Sequence, residues 1–190
     1  MEWPRSISRE EMAKLPIRRY EGEVRLIASR DALDGALEAI RRERVLGFDT
    51  ETRPAFRKGE SYPPSLLQLA GENTVWLFQL ARLDGAAALG ALFESPEMVK
   101  AGIGTAEDLR QLRKLFSFAE ANVVDVGALA KRRGVEQTGL RNLAGIVLGI
   151  RIPKGKRTSN WAAARLTPQQ IAYAAMDAWV ARTLYLRLAH

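Results

Sequence analysis

Three stretches of this chain place acidic side chains where their spacing gives them chemistry. In Phe48-Asp49-Thr50-Glu51 two carboxylates flank one residue at the end of an apolar run. Alternate residues of a strand project from the same face, so Asp49 and Glu51 pair their carboxylates as a ready-made site for a divalent metal. Such a pair repels itself, and burial raises its pKa values, unless a cation supplies the opposite charge. Taken alone, it also fits a polar strand end turned to water. Tyr173 and Asp177 are four apart, hence one turn apart on a single helix face. Their surroundings, Ile171-Ala-Tyr-Ala-Ala-Met-Asp-Ala-Trp179, are small and apolar, a poor setting for a solvated stripe. The other reading sets Tyr173 on the core and Asp177 in water. The third stretch, Gly102-Ile-Gly-Thr-Ala-Glu-Asp108, reads as a strand end, a glycine turn and the first part of a helix. Asp108 there can complement the helix dipole or add a further acid to the others. Glu107, its neighbour, points elsewhere and reads as surface.

Composition leaves few other routes to chemistry. The 190 residues contain no cysteine, which excludes disulfide scaffolds, thiolate zinc sites, iron–sulfur clusters and cysteine nucleophiles. The single histidine is His190, so Ser-His-Asp triads and His-Glu-x-x-His zinc sites have no basis. Neither Gly-x-Gly-x-x-Gly nor Gly-x-x-x-x-Gly-Lys-Ser/Thr occurs, which argues against dehydrogenase and P-loop readings. Catalysis by carboxylates is what remains. The 29 Lys and Arg against 22 Asp and Glu leave a charge of +7, and 22 of the cations are Arg, whose rigid fork suits phosphate. That excess points to a polyanionic partner, or to a generally basic protein. The apolar runs are too short to cross a bilayer and the N-terminus lacks a signal-peptide core, so the expected setting is cytoplasmic, without membrane association.

The elements that must position these residues follow from hydrophobic periodicity and caps. Residues 1–22 read as an irregular N-terminal arm. Val24–Ala28, Val45–Thr52, Ser65–Ala70 and Thr74–Leu80 read as strands, the last two joined by a tight turn at Gly71-Glu-Asn73. Ser29 or Asp31 caps a helix over Ala32–Arg42. From Leu83 the pattern alternates: helix Leu83–Phe93, strand Val99–Ile103, helix Ala106–Phe116, strand Val123–Val126, helix Val126–Arg133, helix Gly139–Leu148. After a basic loop, Arg151–Asn160, Thr167-Pro-Gln-Gln170 supplies an N-cap, a first-turn proline and a capping-box glutamine for a helix reaching about Leu188. Antiparallel strands followed by strand–helix alternation imply an α/β fold, a mixed sheet flanked by helices. Asp125, just before a helix, reads as its N-cap.

Taken together, the order Asp-x-Glu, Asp, then Tyr-x-x-x-Asp resembles the DEDD superfamily of 3′–5′ exonucleases, in its tyrosine-containing DEDDy form. The histidine form would need His where Ala172 stands. Gly47–Ala70, Leu77-Phe78, Lys100–Leu112, Val124-Asp125, Ser159-Asn-Trp161 and Leu166–Leu186 are similar to the ribonuclease D and Werner-syndrome exonuclease group. The resemblance implies a ribonuclease H-like fold, with residues 23–190 as the exonuclease domain after the arm of residues 1–22. It implies hydrolysis of DNA or RNA phosphodiesters from the 3′ end by two ions ~3.5–4 Å apart. Hard carboxylate donors suit Mg²⁺ or Mn²⁺. By the same analogy Asp49, Glu51 and Asp177 hold the first ion, Asp49 bridges to the second, Asp108 supports the second, and Tyr173 orients the attacking water.

The nucleic-acid partner needs contacts to phosphate and base. Arg53, Arg57 and Lys58 follow the first acidic stretch, while Lys154, Lys156 and Arg157 precede the last helix. Each group also fits solvated loop charge. Trp161, Phe56 and Tyr62 could stack on a base or belong to the core. Full ribonuclease D carries helical C-terminal nucleic-acid-binding domains, whereas this chain stops just after the catalytic helix, so it resembles a stand-alone exonuclease domain. The sequence leaves two alternatives, a nucleic-acid-binding module without catalysis and a ribonuclease H-type endonuclease. DNA or RNA preference and oligomeric state leave no mark on it.

Overall fold

A computed structural model describes residues 2–57, 59–153, 155 and 159–189. In chain order its elements are α1 (Arg9–Lys14), β1 (Glu23–Ile27), α2 (Arg30–Ile40), β2 (Val45–Glu51), β3 (Leu66–Ala70), β4 (Thr74–Gln79), α3 (Gly90–Glu94), β5 (Val99–Gly102), α4 (Thr105–Leu112), β6 (Val123–Asp125), α5 (Val126–Arg132), α6 (Leu140–Leu148) and α7 (Pro168–Leu188). The strands form one mixed sheet in the order β1-β4-β3-β2-β5-β6. β2, β3 and β4 are antiparallel, β5 and β6 run parallel to β2, and β1 joins the far edge parallel to β4. This is the α/β arrangement expected from the sequence, with β1 as the exception to the antiparallel beginning.

Strand alternation divides the core between the two faces. Leu46, Phe48, Leu67, Leu69, Trp76 and Phe78 pack one way, against the apolar stripe Leu33, Ala36, Leu37 and Ile40 of α2 and against Leu92 and Phe93 of α3. Leu66, Ala70, Val75 and Leu77 point the other way, beneath Ala174, Ala175 and Ala178 of α7. Both faces of β3 are therefore covered, which explains why Leu66-Leu-Gln-Leu-Ala70 is buried throughout and shows no polar alternation. Helix α7 starts from the foreseen capping box of Thr167 and Gln170 with Pro168 in its first turn. Its alanines bring the helix axis close to the sheet. Gly47 in β2 completes this approach, because a Cβ there would stand 2.0 Å from the carbonyl oxygen of Ala178. Arg182 donates from Nε to the Val45 carbonyl at 3.0 Å, pinning the helix along the same strand.

Two local expectations need correction. The N-terminal arm is not irregular throughout: Ser8 and Glu11 form a reciprocal capping box for α1. The polar Ser-x-x-Glu signal was legible, but α1 buries none of its residues and so lacks an apolar stripe. The arm lies along the body through a bridge between Ile17 and Arg151 and a Tyr20–Trp179 ring contact at 6.0 Å. The run Leu83–Phe93 is not one helix either. It divides into a 3-10 turn at Ala86–Leu89 and the short α3, after Gly85 adopts a left-handed conformation at φ 82°. A left-handed residue stops an α-helix from extending backward through it, and glycine adopts it without a Cβ clash.

Candidate active site

The end of β2 assembles the acids from two directions. Asp49 and Glu51 project from the face covered by α7, where Asp177 descends to meet them. One carboxylate oxygen from each of the three lies within 4.8 Å of the others, close enough for all three to hold one cation. Asp177 is only 7% exposed, which rules out the reading in which it faces water. Thr50, between the two acids, projects from the opposite face toward α4. Its hydroxyl donates to Asp108, so this acid approaches the strand end from the far side. Asp108 is outside the three-acid cluster but near enough for its charge to act on Asp49 and Glu51.

Crowding and burial raise the proton affinity of all four acids. Burial holds Asp49 well above the usual carboxylate range, and repulsion from Asp177, Asp108 and Glu51 adds to it. A hydrogen bond from the Thr50 amide to Asp49 Oδ1 at 2.9 Å opposes the rise. Glu51 is pushed up to about 8 by burial, then by Asp177 and Asp108. Burial raises Asp177 to about 6 despite the Tyr173 hydroxyl and the Arg141 charge, which favour its ionised form. Asp108 rises through burial, partly offset by its hydrogen bond from Thr50. Tyr173 is also driven up, by burial first and then by the negative charge of Asp177. Its phenol is thus a donor that stays protonated at neutral pH. Anions gathered where each is penalised for being charged are a common mark of a functional centre, because a bound cation reverses the penalty.

Around this centre the expected substrate contacts separate. Phe56 is 83% exposed beside the exposed Arg57, whereas Arg53 lies over the Tyr62 ring at 3.5 Å. Trp161 corrects its expectation: at 1% exposure it is core, packed with Leu66, Leu166 and Ala174, and cannot take a base. Its ring lies 6.0 Å from that of Tyr173, tilted by 35°. Lys58, Lys154, Lys156 and Arg157 lie outside the described residues. A cavity of about 770 Å³ is bounded by Tyr173, Asp177, Arg19, Arg165 and Asn160, and of the four acids only Asp177 lines it. Asp125 caps α5 by accepting from the Ala128 amide, as expected. Sequence reasoning missed Thr50 as the anchor of Asp108 and Arg141 as the cation acting on Asp177. Strand alternation through Phe48-Asp-Thr-Glu51 carried the signal for Thr50; nothing local marked Arg141.

The model of the 3′–5′ exonuclease family matches residues 24–190 of the chain. The chain belongs to this family. Ribonuclease D of Gluconacetobacter diazotrophicus is 37% identical over 164 residues, which cover 84% of this chain and 41% of that protein. The crystal structure of Escherichia coli RNase D, an exoribonuclease involved in structured RNA processing, superposes with a TM-score of 0.78 at 25% identity, covering 88% of this chain and 44% of that one. The EXO domain of Aedes aegypti Nibbler shares the fold with a TM-score of 0.80 at 24% identity, covering 90% and 89% of the two chains. This family member thus spans less than half of these two ribonuclease D proteins and nearly all of the Nibbler exonuclease domain. The ribonuclease H-like fold and the DEDD-type resemblance agree with these neighbours. No helix among the described residues is long and apolar enough to cross a membrane.

Proposed function

We propose that this exonuclease-family chain hydrolyses the 3′-terminal phosphodiester of DNA or RNA at a centre of divalent cations held by Asp49, Glu51, Asp177 and Asp108. The observation that carries the proposal is the convergence of Asp49, Glu51 and Asp177 within 4.8 Å at the half-buried end of β2. The donor set fits the cations: every ligand atom is a hard carboxylate oxygen, as Mg²⁺ and Mn²⁺ prefer. Asp49, Glu51 and Asp177 would hold one ion, and Asp108 with Asp49 would serve a second. Such ions, when bound, supply Lewis-acid stabilisation of the phosphoryl oxygens and lower the pKa of water.

The protein's own groups account for position and direction. Tyr173 keeps its proton and orients the attacking water through its hydroxyl. Water oxygen adds to the terminal phosphorus, the bond from phosphorus to the preceding 3′ oxygen breaks, and that oxygen leaves protonated. The products are a nucleoside 5′-monophosphate and a chain shorter by one nucleotide. The +7 charge favours a polyanionic substrate, and the exposed Phe56 and Arg57, a few residues after the acidic end of β2 in the sequence, suit a base face and a phosphate.

The test uses 5′-labelled single-stranded DNA and RNA, a recessed duplex and a circular strand, with Mg²⁺ or Mn²⁺ and an EDTA control. A ladder shortening from the 3′ end, absent on the circle and in EDTA, is expected. Cleavage of the circle would replace this reading with an endonuclease. Substrate binding without cleavage would replace it with a binding module.

A further inference from the structure

Gln68 is the one polar residue inside the apolar run of β3, and it is completely buried at 0% exposure. Among the described residues neither its Nε2 nor its Oε1 has a hydrogen-bond partner. Leaving a buried polar group unpaired forfeits its hydration with nothing in return, so packing does not explain a glutamine between Leu67 and Leu69. A methionine or leucine would fill the same space beneath α7 at no such cost. The sheet register supplies an explanation. Gln68 is the direct antiparallel partner of Asp49. Opposed residues of adjacent strands point to the same face with Cβ atoms ~5 Å apart, so the two side chains leave the sheet side by side, and the carboxamide is within a rotamer change of the carboxylate. On the other flank Gln68 faces Leu77, which offers no polar atom. Asp49 takes one hydrogen bond on Oδ1, from the Thr50 amide, and among the described residues none reaches its Oδ2.

We propose that Gln68 is a positioning residue for Asp49, its Nε2–H donating to the Asp49 carboxylate when that group turns to hold a cation. The inference rests on the metal-centre reading above and deepens it. An outer hydrogen bond of this kind fixes a ligand's orientation, and its removal typically weakens metal binding 10–100-fold. Gln68 touches neither substrate nor ion. It fixes the direction of the acid that would serve both ions.

Gln68→Met, with Gln68→Leu as a second variant should the first fail to fold, separates this role from a packing role. Mn²⁺ is titrated calorimetrically into metal-free wild type and variants, and melting temperatures are recorded in EDTA. The expected result is an Mn²⁺ Kd raised 10–100-fold at an unchanged or higher melting temperature, with kcat reduced and KM for the oligonucleotide unchanged. A wild-type Mn²⁺ Kd in the variants, whether or not they melt lower, would overturn the role of Gln68 and leave the metal centre standing. Failure of the wild type itself to bind Mn²⁺ would remove the metal centre, and this inference with it.

Discussion

Neutralising Asp177 should stabilise the metal-free protein while abolishing its metal response. Its carboxyl stands at about 6 in the folded chain against an ordinary 3.8, chiefly through burial. One pKa unit is worth 1.36 kcal/mol, so the ionised group costs the folded state ~3 kcal/mol relative to the unfolded chain. The sign follows from proton counting. Between pH 3.8 and about 6 the folded protein binds more protons at this site, so stability falls as pH rises and levels off above about 6. Asp177→Asn is almost isosteric, keeps an acceptor for Tyr173 and removes that cost. At ~2–4 °C per kcal/mol for a chain of this size, the variant should melt ~6–12 °C above wild type at pH 8 in EDTA. The gap should shrink as pH falls and vanish below about 4. Differential scanning calorimetry across pH 3.5 to about 8 measures both. A variant melting at or below wild type at pH 8, with no pH dependence in the difference, would refute the reasoning that burial penalises the ionised Asp177 in the folded chain.

Saturating Mn²⁺ should stabilise the wild type by RT ln(1 + [L]/Kd), ~2.7 kcal/mol at a hundredfold excess over Kd, and so raise its melting temperature, and should not move that of Asp49→Asn in a thermal shift assay. Tyr173→Phe should retain a residual rate in single-turnover cleavage and keep the wild-type shape of the pH–rate profile, as the proposed role of the phenol in positioning water, and not as the base, requires. Gly47→Ala places a Cβ against the Ala178 carbonyl and the Arg182 amide; overpacking should cost ~1–3 kcal/mol by urea unfolding, and lifting α7 from β2 should weaken Mn²⁺ binding as well.

What the sequence disclosed depended on how local each determinant was. Asp49 and Glu51 were readable because strand alternation fixes their common face, and Tyr173 and Asp177 because helix periodicity fixes theirs. The capping box of α7 set that helix's start from four consecutive residues. The relation between the two carboxylate sets was not local, since Gly47 and the alanines of α7 create it by close packing between distant segments. The family resemblance supplied it instead. Thr50 and Gln68 escaped for a similar reason: one is defined by what lies across the strand, the other by its register with Asp49. Trp161 shows the converse, an aromatic beside a basic loop whose burial is decided by the helix above it. The break in Leu83–Phe93 depends on the left-handed turn at Gly85, to which hydrophobic spacing is blind.

The most direct test is anomalous diffraction at the manganese edge from crystals soaked in Mn²⁺, compared with Asp49→Asn crystals treated identically. The account predicts an anomalous peak coordinated by Asp49, Glu51 and Asp177, a second on the side of Asp49 nearer Asp108, and neither in the variant. Saturating Mn²⁺ that leaves the three acids without a peak, in crystals of protein that degrades a 3′ end, would contradict it.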